Sequence, residues 1–274
     1  MLLRKIDKIE IKRIQSKLSS QGFIKVENLI KPKITKKILD LIKKIYTKAG
    51  KSTKNYKGLP ERDSKDLRIY NLPKRDKIFC DLISDIQLEK ILKPNLNDKY
   101  YQWLPQKLPN YILGGFNGRS SGYKLDLHID SIIPFKGYHP SSYVVLFVLE
   151  KMNKNNGATI LVPKSHLSGK YTDRSNKSIK VIDAVPGDVL ILDSRTWHGT
   201  TENSTNKSRW LINAVFTGWW IKQQINFTES IPKKILKKLS NKQKQLLGFC
   251  SIPPTHETDR INTKCGYEVL KKIY

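Results

Sequence analysis

Apolar residues recur at helical spacing in the first third of this chain and at strand spacing through its middle. Residues 8–20 alternate in helical fashion up to Ser19-Ser20-Gln21-Gly22, which reads as a stop. GFIKVENLI (22–30) reads as a strand that Lys31-Pro32 breaks. Thr35 is placed to cap a helix whose Ile38, Leu41, Ile42 and Ile45 share one face. Residues 47–66 are polar, include Gly50, Gly58 and Pro60, and read as a loop. Ile78, Leu82, Ile83 and Ile86 predict another helix over 75–92.

From about residue 100 the period changes. YILGGFN, YKLDLHID, YVVLFVLE, ATILVP, KVIDAVP, DVLILDS and WLINAVFTGWW are short β-rich runs divided by Gly, Pro, Asn and Ser. Seven or more such runs at short spacing predict a sandwich or jelly roll. Past residue 229 a basic helix returns, followed by a Pro/Thr-rich tail. No repeat or linker divides the chain. The expectation is one domain over 1–274, mainly β with flanking α: a helical layer over about 1–95, a β core over about 100–225, and a helix and tail over about 229–274.

Composition narrows this only a little. No run of eighteen apolar residues occurs, which leaves no membrane-spanning helix, and MLLRKIDKIEIKRIQ lacks the apolar core of a signal peptide. Cys80, Cys250 and Cys265 are odd in number and scattered, with no C-x-x-C, so neither a disulfide framework nor a zinc ribbon is indicated. A reducing cytoplasm is the expected setting. The formal charge of +27 could mean a nucleic-acid or anionic-lipid partner. The lysines, however, run along the whole chain instead of clustering on one element, and Ile and Asn are abundant, as in AT-rich coding. A solvated lysine surface is the simpler reading. No specific nucleic-acid partner is expected. Peripheral contact with an anionic membrane is compatible with the charge, and a monomer or weak homo-oligomer is the expected state.

The chemistry lies in His128-Ile129-Asp130, answered by His198 and Arg209. Residues i and i+2 of a strand project to one side, so His128 and Asp130 point together. His198 follows the run DVLILDS and a turn; a hairpin from His198 to Arg209 would bring the arginine beside the metal. Two imidazoles and one carboxylate can hold Fe(II) on one face and leave the other positions open. A guanidinium offers a bidentate grip on a second carboxylate. The four residues read as an oxygenase site. The same ligand set also suits a zinc hydrolase, but no evident general base accompanies it.

NNGATILVPKSH (155–166), PGDVLILDSRTWHGTTEN (186–203) and SRW (208–210) are highly specific in combination. On these blocks the chain resembles the phytanoyl-CoA dioxygenase family of Fe(II)/2-oxoglutarate-dependent oxygenases, from GFIKVENLI to the tail segment QLLGF. The resemblance implies a double-stranded β-helix (a cupin-like jelly roll) with N-terminal helices and a C-terminal helix. It implies His128, Asp130 and His198 as iron ligands, and Fe(II), 2-oxoglutarate and O2 as cofactor and cosubstrates. Arg209 is then the partner of the far carboxylate of 2-oxoglutarate, and Thr200 a hydroxyl that helps it. The implied activity is hydroxylation of an unactivated C–H bond in a small molecule; the basic surface favours an anionic or lipid-linked one. Asp130 argues against the halogenase branch, which replaces that carboxylate. Many members carry Gln two residues before the first His, where this chain has Asp126. A carboxylate there would repel an anionic cosubstrate, so Asp126 has another role or points away, and Tyr123 or Lys124 is the candidate donor. The alternative class is a catalytically idle basic β-helix that binds nucleic acid or an anionic membrane surface.

The remaining candidates read as structural. His166 orders the loop that ends GATILVPKSH, His256 is solvated, and Trp219-Trp220 closes a β run as core packing. His139 lies near the expected pocket mouth. Asn156-Gly157 and Pro186-Gly187-Asp188 read as turns.

Overall fold

Local signals explain where most elements start and stop in this computed structural model, which describes residues 1–49, 67–98, 109–120, 122–172, 178–253, 256 and 258. Gly50, Gly58, Pro60, Cys265 and most of the tail lie outside the described residues. Helix α1 (Lys8–Gln21) begins where the Asp7 carboxylate accepts from the Glu10 N–H and ends at Gly22, whose φ of 81° suits glycine. Strand β1 (Phe23–Val26) follows. Pro32 breaks the extended run and opens α2 (Pro32–Ala49), a first-turn position at which its missing N–H costs nothing. Thr35 therefore lies inside the first turn and does not cap the helix; its hydroxyl donates back to the Lys31 carbonyl at 3.3 Å.

The helix expected over 75–92 is two helices. After β2 (Leu67–Tyr70) and a 3-10 turn at Leu72–Lys74 come α3 (Lys77–Ile83) and α4 (Ile86–Leu96). Asp85 causes the break. Its carboxylate accepts from the Gln87 N–H as an N-cap and also from the Leu2 and Leu3 N–H groups, at 2.7 and 3.1 Å. The chain restarts there, so Ile86 is exposed while Ile78, Leu82 and Ile83 are buried.

The β core has β3 (Tyr111–Ser120), β4 (Leu125–His128), β5 (Ser142–Val148), β6 (Thr159–Leu161), β7 (Lys180–Ile182), β8 (Val189–Asp193), β9 (His198–Thr200) and β10 (Trp210–Gly218). They form two antiparallel sheets, ordered β1-β8-β5-β10-β3-β2 and β4-β9-β6-β7. Alternation gives the larger sheet two apolar faces. Trp210, Ile212, Ala214 and Phe216 of β10 pack in a cluster with residues of all the longer helices. Leu211, with Val144, Leu146, Val148, Leu190 and Leu192, packs instead against Leu161 and Ile182 of the smaller sheet. The architecture is mainly β with flanking helices, arranged as the jelly roll of a double-stranded β-helix.

β9 and β10 do not form the expected hairpin. They lie in opposite sheets, and the turn from Thr201 to Ser208 crosses the gap between them. The basic helix expected past residue 229 is three short pieces, α5 (Phe227–Ser230), α6 (Lys233–Leu236) and α7 (Asn241–Leu246), separated by Pro232 and a capping box at Ser240. Trp220 is not core: β10 ends at Gly218, and the Trp220 side chain is largely exposed. No described helix is long and apolar enough to cross a membrane.

Candidate metal centre

The triad assembles on the inner face of the smaller sheet. His198 at the start of β9 stands directly opposite His128 at the end of β4, and on its other side opposite Leu161 of β6. Leu161 packs between the sheets, so His198 and His128 point inward with it. Asp130 lies two residues beyond the end of β4, not on the strand. Its backbone N–H donates to the Ser194 carbonyl at 2.9 Å, which turns its carboxylate back toward the imidazoles. Asp130 Oδ1 is 3.5 Å from His128 Nε2, and Oδ2 is 3.6 Å from His198 Nε2. One ligand atom from each residue lies within 4.8 Å of the others, and among the described residues no second group of His, Cys, Asp or Glu does so.

Hydrogen bonds fix the ring tautomers. His128 Nδ1 is 2.9 Å from the Asp126 carbonyl, and His198 Nδ1 is 2.9 Å from the Thr196 carbonyl. A carbonyl accepts only, so each Nδ1 carries a proton, and Nε2, directed at the shared space, is the atom left to bind a metal once it is unprotonated. Burial would raise the Asp130 carboxyl, but the two imidazoles, led by His198, hold it well below the usual carboxylate range. Burial would lower His198, yet Asp130 outweighs it and leaves the imidazole above its ordinary value. The site is therefore an anion between two nitrogen donors, the electrostatics a divalent cation needs. Two neutral imidazoles and a monoanion on one side match the donor chemistry of Fe(II) with open positions.

Two features of the chain hold this geometry. Gly199, between His198 and Thr200, faces the opposite strand so closely that a Cβ would lie 2.3 Å from the Leu125 carbonyl oxygen. Only glycine fits between the two histidine-bearing strands. Arg195, which the sequence reading passed over, is buried and grips both oxygens of Asp193 through Nε (2.9 Å) and Nη2 (2.6 Å). Its Nη1 reaches the Gly137 carbonyl at 2.7 Å, and its guanidinium lies 4.7 Å from the centre of the Phe135 ring. It thereby ties the segment after Asp130 to the turn before His198. The signal was Asp193-x-Arg195 ahead of the distal His, a spacing with no motif attached to it.

The other candidates separate. Arg209 is 1% exposed, and its backbone N–H donates to Ser120 Oγ at 2.7 Å. It lies two residues before Leu211, so it shares the inward face of the larger sheet. Thr200 shares the inward side of β9 with His198; its hydroxyl donates to the Tyr123 carbonyl (3.3 Å) and accepts from the Leu125 N–H (3.2 Å), pinning β4 to β9. Lys124 and Asp126 are exposed and face each other at 3.5 Å, so both turn outward from the metal ligands. His166 is buried, with Nε2 2.9 Å from the Ser19 carbonyl at the end of α1. His139 is exposed, and His256 Nδ1 meets Thr258 in an exposed position.

The family model for phytanoyl-CoA dioxygenase matches residues 18–210. The uncharacterized protein Rv1501 of Mycobacterium tuberculosis is 27% identical over 113 residues, 40% of this chain and 41% of that protein. Dioxygenase af480 of Aspergillus fumigatus is 23% identical over 196 residues, 68% of this chain and 60% of that one. The chain thus spans about two fifths to three fifths of these relatives. Among solved structures, HygX from Streptomyces hygroscopicus, with nickel and 2-oxoglutarate bound, superposes with a TM-score of 0.59 at 17% identity, covering 80% of this chain and 90% of that one. AviO1 from Streptomyces viridochromogenes gives 0.60 at 15% identity, covering 77% and 96%. At such identities these likenesses concern the fold. The triad, the blocks around it and a family match across most of the chain agree: this chain belongs to the phytanoyl-CoA dioxygenase family.

Proposed function

We propose that this protein is an Fe(II)- and 2-oxoglutarate-dependent dioxygenase that hydroxylates an unactivated C–H bond of a small molecule. The observation that carries the proposal is the pair of locked imidazoles, whose Nδ1 protons are committed to carbonyls while both Nε2 atoms face Asp130. His128, Asp130 and His198 would hold the iron on one side only. When bound there, Fe(II) with 2-oxoglutarate and O2 supplies the oxidation, which is coupled to decarboxylation of the cosubstrate to succinate and CO2. The protein's own work is binding and exclusion. Arg209, buried on the inward face of the facing sheet, would hold the far carboxylate of 2-oxoglutarate as a charge pair. Thr200 lines the same inward side, and the aliphatic residues between the sheets keep water from the cosubstrate. Arg195 fixes the segment that follows Asp130, and so the direction of the carboxylate ligand.

Anaerobic addition of Fe(II) and 2-oxoglutarate tests the assignment. A weak metal-to-ligand charge-transfer band is expected, lost in His128→Ala. In Arg209→Ala the cosubstrate affinity falls by at least about thirtyfold, since removing one side of a buried pair costs about 2–5 kcal/mol. Unchanged 2-oxoglutarate affinity in Arg209→Ala, or salt-sensitive DNA binding with no iron-dependent turnover, refutes the proposal.

A further inference from the structure

Beyond Asp130 the chain passes into an exposed apolar segment beside the metal ligands. His128 and Asp130 are themselves partly exposed, so the site opens on the side from which residues 131–139 emerge. That segment abuts the turn after β6: a Cβ on Gly169 would lie 2.6 Å from Lys136 Cγ. The turn is anchored beside His198, because Ser165 Oγ accepts from the Trp197 N–H at 2.8 Å. Between them the two segments expose Ile132, Ile133, Tyr138, Leu167 and Tyr171, with Ile132 at 77% and Tyr138 at 98%. Single exposed apolar residues are ordinary; a group of them around one opening marks a contact surface.

Ile132 is held out at a cost. Its φ is 65°, a left-handed backbone that a β-branched residue rarely adopts, and the Ile133 N–H donates to the Ser131 carbonyl at 2.7 Å to close the turn around it. The strain lifts an aliphatic side chain into solvent and gains the fold no buried contact. The charges around it select the occupant. Residues 131–139 and 164–171 contain Lys136, Lys164 and Lys170, all exposed, and no Asp or Glu. A second copy would set lysine against lysine, and protein interfaces are poor in lysine. Nucleic-acid bases stack on aromatic rings, not on branched aliphatic tips. Aliphatic tips, tyrosines and lysines together suit the boundary of an anionic bilayer. Acyl chains receive the isoleucines and leucine, and headgroups receive the tyrosines and ammonium groups.

We infer that this rim docks on an anionic phospholipid membrane, with the opening of the metal site turned toward the lipid. The docking surface rests on its own residues. Only its bearing on the substrate, a membrane-resident molecule, rests on the oxygenase reading.

Flotation of the metal-free full chain with vesicles tests this independently of iron. Binding is expected to vesicles of phosphatidylglycerol and phosphatidylcholine, and at least about tenfold weaker binding to phosphatidylcholine alone. Ile132→Asn/Ile133→Asn leaves the charge unchanged and should weaken binding at least about tenfold, since two apolar side chains no longer enter the bilayer. Asparagine tolerates a left-handed backbone, so the melting temperature should not fall. Lys136→Gln/Lys164→Gln/Lys170→Gln should weaken binding about a hundredfold, roughly fivefold for each lysine near the surface. The same charge change on α6, on the helix side of the molecule, is Lys233→Gln/Lys234→Gln/Lys237→Gln, and it should stay within about threefold of wild type. Equal losses in the two lysine variants would mean that bulk charge alone binds. That result overturns the inference, as does an isoleucine variant that binds like wild type or melts lower, or dimerisation without vesicle binding. Vesicle binding with no charge-transfer band on adding Fe(II) and 2-oxoglutarate would refute the enzyme assignment and uphold the docking surface.

Discussion

Replacing Gly199 by alanine tests whether the strand spacing, and not merely the ligand identities, makes the metal site. The added methyl carbon would lie 2.3 Å from the Leu125 carbonyl oxygen and 3.0 Å from that of Asp126. Both obstacles are backbone, so no side chain can swing aside. Restoring the 3.0 Å that real Cβ contacts keep requires β4 and β9 to part by about 0.7 Å, and these strands carry His128 and His198 opposite each other. Metal–ligand distances tolerate about 0.2 Å. Metal affinity should fall by about 10–100-fold, the usual effect of disturbing the groups that orient ligands. Overpacking of about 1–3 kcal/mol should also lower the Tm by several degrees. Calorimetric titration with Fe(II) under anaerobic conditions, or with Co(II) in air, reads the first effect; thermal unfolding of the metal-free protein reads the second. Gly118→Ala is the control. Its Cβ meets the terminal methyl of Ile42, a side chain and not backbone, at 3.1 Å on the helix side of the sheet, and it should cost less and leave metal binding alone. Metal affinity within twofold of wild type in Gly199→Ala would show that the strand spacing does not set the ligand geometry.

Arg195→Met leaves the Asp193 carboxylate buried without its ion-pair partner, and should destabilise the protein by about 3–5 kcal/mol in denaturant unfolding. The same variant frees Gly137, so limited proteolysis should shift to the 131–139 segment; an unchanged cleavage pattern contradicts the strap assigned to Arg195. Metal binding should weaken on acidification, because His198, held above its ordinary pKa by Asp130, must lose its proton to become a ligand. The metal-free protein runs the other way. The His198–Asp130 pairing contributes fully below the unfolded imidazole value of 6.5 and is lost as pH rises through the higher folded value, so apparent stability declines there while metal affinity climbs. Titrations in two buffers of different ionisation enthalpy, repeated across this window, should show proton release on metal binding that vanishes in His198→Ala.

The sequence made the strand-rich middle legible because turn residues punctuate the runs, and it put His128 near Asp130; the carboxylate reaches the imidazoles not by strand alternation but because the Asp130 N–H bonds to the Ser194 carbonyl beyond the end of β4. What it hid was non-local. Asp85 splits the helix over 75–92 because it binds the Leu2 and Leu3 N–H groups as well as capping its own helix, a partnership more than eighty residues distant. β9 and β10 read as a hairpin because they are adjacent in sequence, yet each finds its partners in a different sheet. Lys124 was a plausible donor by position alone; its outward turn toward Asp126 is set by the irregular pairing of β4 with β9.

β10 lies between β3 and β5 in the larger sheet, and the family match stops at its first residue, Trp210. The recognisable stretch and the cooperative unit are therefore different lengths of chain. A fragment cut at residues 18 and 210 would keep every metal ligand and Arg209. It would lose Leu3, Ile6 and Ile14 from the buried cluster, and eight of the nine residues of an interior strand, leaving β3 and β5 with bare edges where they now share a neighbour. Excising this family's catalytic unit by sequence similarity would thus remove the wall that closes the site, though every residue that touches the metal remained in the clone.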